Sequence, residues 1–255
     1  MNSLTSTVSS TVGAFWLMGV PALAQASPDL VTAPTEKVFV PVGFDSNDNV
    51  EVIVHGHFPN TCYKIGPATA TIDYGTNTVF VEASAFVYSA AVQCAQMLIP
   101  FTESVNLGPV RPGTYRVVVK DRDTAETTEL IVGEATTESA DDFLYAPVDQ
   151  ASVSTLADGS RTLTLEGRYP YMFVGCMVMD EVRIKKTPGN VLVVQPITKL
   201  VDGSECKPQN ATKAFTITTP ISATLTNGEY LVHVRVLSGK SVNQLATLEG
   251  FTLGH

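Results

Sequence analysis

The chain has 255 residues, 44% of them hydrophobic and 16% charged, which suits one large or two ordinary globular domains. Its formal net charge of −9 argues against a nucleic-acid or anionic-membrane partner. Valine and threonine are abundant and long stretches rich in Glu, Lys, Ala and Leu are missing, so strands are expected rather than helices.

Residues 1–26 carry no charged side chain. Within them VGAFWLMGV (12–20) is an apolar run too short to span a bilayer, followed by Pro21 and ALAQA (22–26). Small residues at −3 and −1 place a cleavage site after Ala24 or Ala26, so this segment reads as a signal peptide, although it lacks the usual Lys or Arg before the apolar run. No later segment is apolar enough to cross a membrane. The mature protein is expected to be exported and soluble, in the periplasm, at the cell surface or outside the cell. In such a compartment four cysteines imply disulfides, with three possible connectivities.

Domain 1 is expected over 36–133. Its landmarks are VFVPV (38–42), VEVIVHGHFP (50–59), Cys62, Cys94, Phe101 and GTYRVVV (113–119). The second of these has period two. Val50, Val52, Val54, Gly56 and Phe58 share one face, and Glu51, Ile53, His55 and His57 share the other. DSNDN (45–49) reads as a turn: its oxygen ligands alternate as in a calcium loop, but Val50 stands where the glycine is needed and Gly56 where the bidentate glutamate is needed. The Ala-rich SAFVYSAAVQCAQM (84–97) is expected to hold a short helical turn carrying Cys94.

A polar, acidic linker follows at 134–142, and domain 2 is expected over 143–255. Its landmarks come in the same order: LYAPV (144–148), RTLTLEGRYP (161–170), Cys176, Cys206, Phe215 and GEYLVHV (228–234). The cysteines are 32 residues apart in one copy and 30 in the other, which marks a tandem repeat. The repeat favours pairing within each unit, Cys62–Cys94 and Cys176–Cys206. Closing loops of this size stabilises each unit by roughly 3–4 kcal/mol on the chain-entropy estimate. Turns at DGS (158–160), PGN (188–190) and TNG (226–228) space short strands as in an all-β sandwich. SGKS (238–241) lacks the upstream glycine of a phosphate loop and reads as a hairpin turn.

The Gly-x-Tyr-x-Val-x-Val segments resemble the last strand of immunoglobulin-like modules. CAQMLIPFTESVNLGPVRPGTYRVVV (94–119) is similar to a module of uncharacterised secreted bacterial proteins, in which a Cys precedes Pro-Phe, a Val-x-Leu strand and Gly-Thr-Tyr. The resemblance covers most of domain 1 and only the skeleton of domain 2, where Ala214–Phe215 replaces Pro-Phe. It implies two tandem immunoglobulin-like antiparallel β-sandwiches with one disulfide each, and export; it carries no activity.

Three features bear on function. His55 and His57 lie on one side of a strand, about 7 Å apart at Cα, and could share Zn²⁺ or Cu²⁺, although a closed site needs three or four ligands. Aligned on the glycine, domain 2 has Glu166–Gly167–Arg168, so the bland reading is that both histidines face solvent. CMVMD (176–180) invites a copper reading, but Met177 and Met179 align with Tyr63 and Ile65 and read as core. The loop from Gly167 to Cys176 is three residues longer than its counterpart and adds an apolar, aromatic cluster. Tyr169, Tyr171, Met172 and Phe173 form either a binding loop or a plug for the sandwich end or the inter-domain seam. No nucleophile–base pair, carboxylate pair or cofactor motif is recognisable. The expected role is a non-catalytic module that binds a protein or glycan or serves as a structural spacer. The alternatives are a periplasmic metal-binding protein using His55 and His57, and an enzyme whose site lies at the domain interface.

Overall fold

The computed structural model describes residues 27–88, 93–120, 128–156, 158–207, 212–222 and 225–248; the expected signal peptide lies outside them. Sixteen strands and one 3₁₀ turn make up the regular structure, with no α-helix among the described residues. In the first half these are β1 (Asp29–Thr32), β2 (Thr35–Phe39), β3 (Phe44–Asp45), β4 (Val50–Phe58), β5 (Tyr63–Asp73), β6 (Thr78–Val87), β7 (Ile99–Gly108), β8 (Gly113–Val119) and β9 (Thr128–Gly133). The second half holds β10 (Val148–Thr155), β11 (Arg161–Arg168), β12 (Met177–Thr187), β13 (Val191–Leu200), β14 (Ala214–Ile221), β15 (Gly228–Val236) and β16 (Lys240–Leu248).

Among the described residues, strands pair only within their own half. A three-stranded sheet, β2-β4-β7, faces a six-stranded one, β1-β6-β8-β9-β3 with β5 beside β6. The second half repeats the plan as β10-β11-β14 against β12-β13-β15-β16. The fold is all-β and sandwich-like. Immunoglobulin domains consist of two antiparallel sheets; here one sheet of each sandwich contains a parallel pair at the same place, β6 with β8 and β13 with β15.

The period-two faces build the two cores. Val50, Val52, Val54 and Phe58 pack against Val79, Val81, Ala83 and Tyr115 in the first sandwich. Leu163 and Leu165 meet Leu192, Val194, Tyr230 and Val232 in the second. Met177 is fully buried and Met179 packs against that core, as expected of both. The disulfides Cys62–Cys94 and Cys176–Cys206 both form. Each ties the open ends of a hairpin, β5–β6 or β12–β13, so the longest two-stranded ribbon in each half is closed covalently.

The repeat is plainest in space at two glycines. Gly56 and Gly167 occupy identical situations: a Cβ there would lie 2.2 Å from the Pro34 carbonyl oxygen and 2.3 Å from the Pro147 carbonyl oxygen, and against the rings of Phe101 and Phe215. Both sit beside a bulge, Thr35/Lys37 in one copy and Val148/Gln150 in the other. The true counterpart of Ala146–Pro147 is therefore Ala33–Pro34. Matching LYAPV to VFVPV, as the sequence suggests, is corrected by seven residues, because bulge geometry and not apolar similarity sets the register.

Other expectations change as well. The Gly-x-Tyr strand is penultimate, not last, since β9 and β16 follow β8 and β15 and pair with them. Its tyrosine bonds backward in each copy: Tyr115 Oη donates to the Arg111 carbonyl at 2.7 Å, and Tyr230 Oη meets Thr226 Oγ1 at 3.0 Å. The expected helical turn at 84–97 is absent where it can be assessed. Ser84–Val87 continue β6, residues 93–98 have no regular structure, and 89–92 lie outside the described residues. SGKS is a hairpin turn between β15 and β16, with Ser238 and Gly239 at φ 70° and 64°.

The largest departure concerns the face of β4 expected to meet solvent. Glu51, Ile53 and His55 are buried, and only His57 is partly exposed. The β2-β4-β7 sheet packs on the outer face of β13, β15 and β16. Phe39 and Ile53 form one apolar cluster with Val191, Val193 and Leu231, flanked by Val42 and Leu245. A strand enclosed on both sides buries both halves of its alternation. The two sandwiches keep separate cores and are joined by this third, smaller apolar cluster.

Candidate functional site at the joint of the sandwiches

Around that apolar patch lies a ring of polar contacts. DSNDN forms a turn closed by its own side chains: the Asp45 N–H donates to Asp48 Oδ2 at 2.9 Å, and the Asn47 N–H donates to Asp45 Oδ1 at 3.2 Å. That aims the Asp48 carboxylate across the joint. Arg235 on β15 meets it at 3.1 Å, also donates to the Gly43 carbonyl at 2.6 Å, and stacks on Phe44. Segment 134–142 crosses beside it. Asn47 Nδ2 donates to the Thr137 carbonyl, and the Gly239 N–H donates to Asp141 Oδ2 at 3.0 Å, so the connection is fastened to both halves.

Glu51 of β4 accepts from Ser241 Oγ and from Asn243 Nδ2, and lies 3.3 Å from His233 Nδ1. His233 Nδ1 is also 2.9 Å from Asn243 Oδ1, while its Nε2 is buried without a hydrogen-bond partner. Protonating Nε2 would bury an unpaired N–H. Burial accordingly holds the His233 pKa below its usual value, against the pull of Glu51 and with that of nearby Arg235. The unfolded chain takes up this proton near pH 6.5 and the folded chain only at lower pH, so stability is full above about 6.5 and is lost as pH falls below it. Urea denaturation between pH 7.5 and 5 is expected to show this slope, and His233→Gln is expected to flatten it; equal slopes in the two proteins would contradict the reading.

Phe44, Asp48, Glu51, His233, Arg235 and Ser241 help to line a partly open cavity of about 20 Å³, room for about one water molecule. His233 and Arg235 alternate along the chain with the core residues Val232 and Val234, so periodicity alone gives them an outward face and does not connect them to this cluster. The signal available was the apolar run VLVV (191–194) together with Leu231, which leaves no polar face on the first four residues of β13.

His55 and His57 stand at one edge of the joint. His55 is enclosed, its Nδ1 2.8 Å from the Phe101 carbonyl, and its ring lies edge-on to that of His57. His57 Nδ1 is 3.1 Å from Glu36 Oε2 of β2. Glu36, a carboxylate that sequence spacing did not connect to the pair, completes a group of three ligand atoms all within 4.8 Å of one another. Glu229 of β15 reaches the same place, with Oε1 3.9 Å from His55 Nε2.

The residues of the long loop separate into two sets. Tyr169 packs its ring 4.7 Å from that of Phe215, as Phe58 does on Phe101 in the first sandwich, and so closes the sandwich end. Tyr171–Phe173 form a single 3₁₀ turn, with Phe173 half-buried and Tyr171 and Met172 exposed at 90% and 76%. On the same sandwich a cleft of about 410 Å³ of mixed character opens between β12, β13 and β14, lined by Val182, Ile184, Leu192 and Ile221 with Lys186 and Thr219.

Residues 52–130 match the family model described as ORF11 beta-sandwich domain. The match runs from β4 into β9 and includes the first disulfide, in agreement with the sandwich seen here. No curated protein and no solved structure matches the chain.

Proposed function

We propose that the chain is an exported, non-catalytic recognition module that presents one rigid two-sandwich body to a protein or glycan partner. The observation that carries this reading is the exposure of Tyr171 and Met172 at the tip of an insertion made only in the second sandwich. The tip is anchored by Tyr169 on one side and Cys176 on the other. A rigid, exposed aromatic beside a polarizable thioether loses little conformational entropy on binding and supplies the apolar centre of an interface or a stacking platform for a sugar ring. Two disulfides suit an oxidising compartment, and no helix among the described residues is long and apolar enough to cross a membrane. The joint carries a polar cavity with room for about one water and, beside it, an open groove of about 720 Å³ lined by Asn47, Asn106, Asp141 and Lys240.

The test is binding of the purified protein to envelope fractions of its own cells, separated into polysaccharide and protein. Tyr171→Ser/Met172→Ser is expected to lose binding at least about tenfold with an unchanged unfolding midpoint. Equal binding by the variant would end the assignment of the loop.

A further inference from the structure

We propose that Glu36, His55 and His57 of the first sandwich, joined by Glu229 of the second, form a binding site for a divalent transition metal ion, with zinc the occupant that fits the donor set. This is independent of the recognition role above. Imidazole nitrogens and carboxylate oxygens are zinc ligands, and four of them meet the coordination of a closed site.

Three observations build it. The first is proximity: the ligand atoms of Glu36, His55 and His57 lie within 4.8 Å of one another, and Glu229 Oε1 is 3.9 Å from His55 Nε2. A tetrahedral ion with bonds of about 2.0–2.2 Å sets its ligands about 3.4 Å apart. Closing to that spacing asks for rotation of the two glutamates, whose side chains are the exposed members of the set at 54% and 40%.

The second is preparation of the buried ligand. With Nδ1–H donated to the Phe101 carbonyl, His55 carries its lone pair on Nε2, the nitrogen directed toward Glu229. A backbone carbonyl on the far nitrogen is the usual device by which proteins orient a metal-bound histidine.

The third is the contrast with the repeat. Asp149 and Arg168 occupy in the second sandwich the places of Glu36 and His57, and they form an ordinary ion pair at 3.0 Å. Glu166 takes the place of His55. The scaffold is thus satisfied by a carboxylate–guanidinium pair that no metal can use. The first copy has replaced both strand positions by imidazoles, on the side that faces the other sandwich. Because Glu229 comes from β15, a bound ion would bridge the two halves and stiffen the joint.

The experiment is calorimetric titration of the tag-free chain with Zn²⁺, with thermal unfolding measured in zinc and in EDTA. One ion per chain and a zinc-dependent rise in the unfolding midpoint are expected. His57→Arg copies the second sandwich, so it should keep the pairing with Glu36 and the midpoint in EDTA while losing about 100-fold in zinc affinity. Glu229→Gln is expected to lose about tenfold and most of the zinc-dependent rise. No binding by the natural chain, or equal affinity in His57→Arg, overturns the site; full affinity in Glu229→Gln overturns the bridging ligand.

Discussion

Arg235→Ala is expected to destabilise the protein by about 3–5 kcal/mol at neutral pH, the cost of leaving a buried carboxylate without its partner. Asp48 and Arg235 are both nearly inaccessible, and the guanidinium also serves the Gly43 carbonyl and the Phe44 ring. Burial already holds the Asp48 pKa above the ordinary carboxylate value, with Arg235 opposing the rise. Removing the arginine pushes it higher. A carboxyl whose folded pKa is raised binds its proton more tightly in the folded state, so its penalty fades as pH falls through that window toward about 3.9. The loss measured by urea denaturation should therefore be smaller at pH 4.5 than at pH 7. Asp48→Asn/Arg235→Met should recover part of it, because both buried charges are gone. A loss below about 1 kcal/mol at pH 7 would mean that the pair behaves as a solvated surface bridge.

Gly56→Ala and Gly167→Ala are each expected to cost about 3 kcal/mol, the upper end of the range for overpacking a closed site. A new methyl group would fall on a backbone carbonyl and an aromatic ring, neither of which can rotate away. Gly133→Ala is the control: the nearest atom to its Cβ position is 3.7 Å away, and the change should stay within about 0.5 kcal/mol. Denaturation of the three variants side by side checks the prediction. Similar large losses in the first two would show that the repeated Gly-aromatic-Pro element does the same structural job twice. A small loss at either one would break the equivalence.

Much of the scaffold was legible in the residues. Alternation along VEVIVHGHF and RTLTLEGR picks out the core-facing side of β4 and β11, because a strand with one buried face must repeat every second residue. Cysteine spacing repeated in two copies pointed to Cys62–Cys94 and Cys176–Cys206, the pairs that form. Proline, glycine and asparagine marked the hairpin turn at 188–190, where Gly189 and Asn190 have positive φ.

The joint was not legible. Glu51, His55, His233 and Arg235 alternate with core residues and look like solvated positions, yet all four are buried against the other sandwich. Alternation reports that a strand has two unlike faces; it does not say what covers the second one. Only Ile53, Val191, Val193 and Leu231, apolar on the nominally outer faces, hinted at a partner surface. Glu36 escaped notice beside His57 for a related reason: the bulge next to Gly56 shifts β2 against β4, and apolar similarity had matched the wrong Ala-Pro counterpart.

By itself the sequence determined the strands, the two cores and the covalent closure of each half, because these follow from short-range periodicity and from a repeat that can be compared with itself. Only the tertiary structure decided that the two sandwiches pack together through an apolar cluster of their own, that Asp48 meets Arg235, and that the histidines of HGH lie beside glutamates from two other strands. Those contacts join residues up to about 190 positions apart, where no local pattern links one to the other. They depend on which outer face meets which, and that is settled by packing rather than by period.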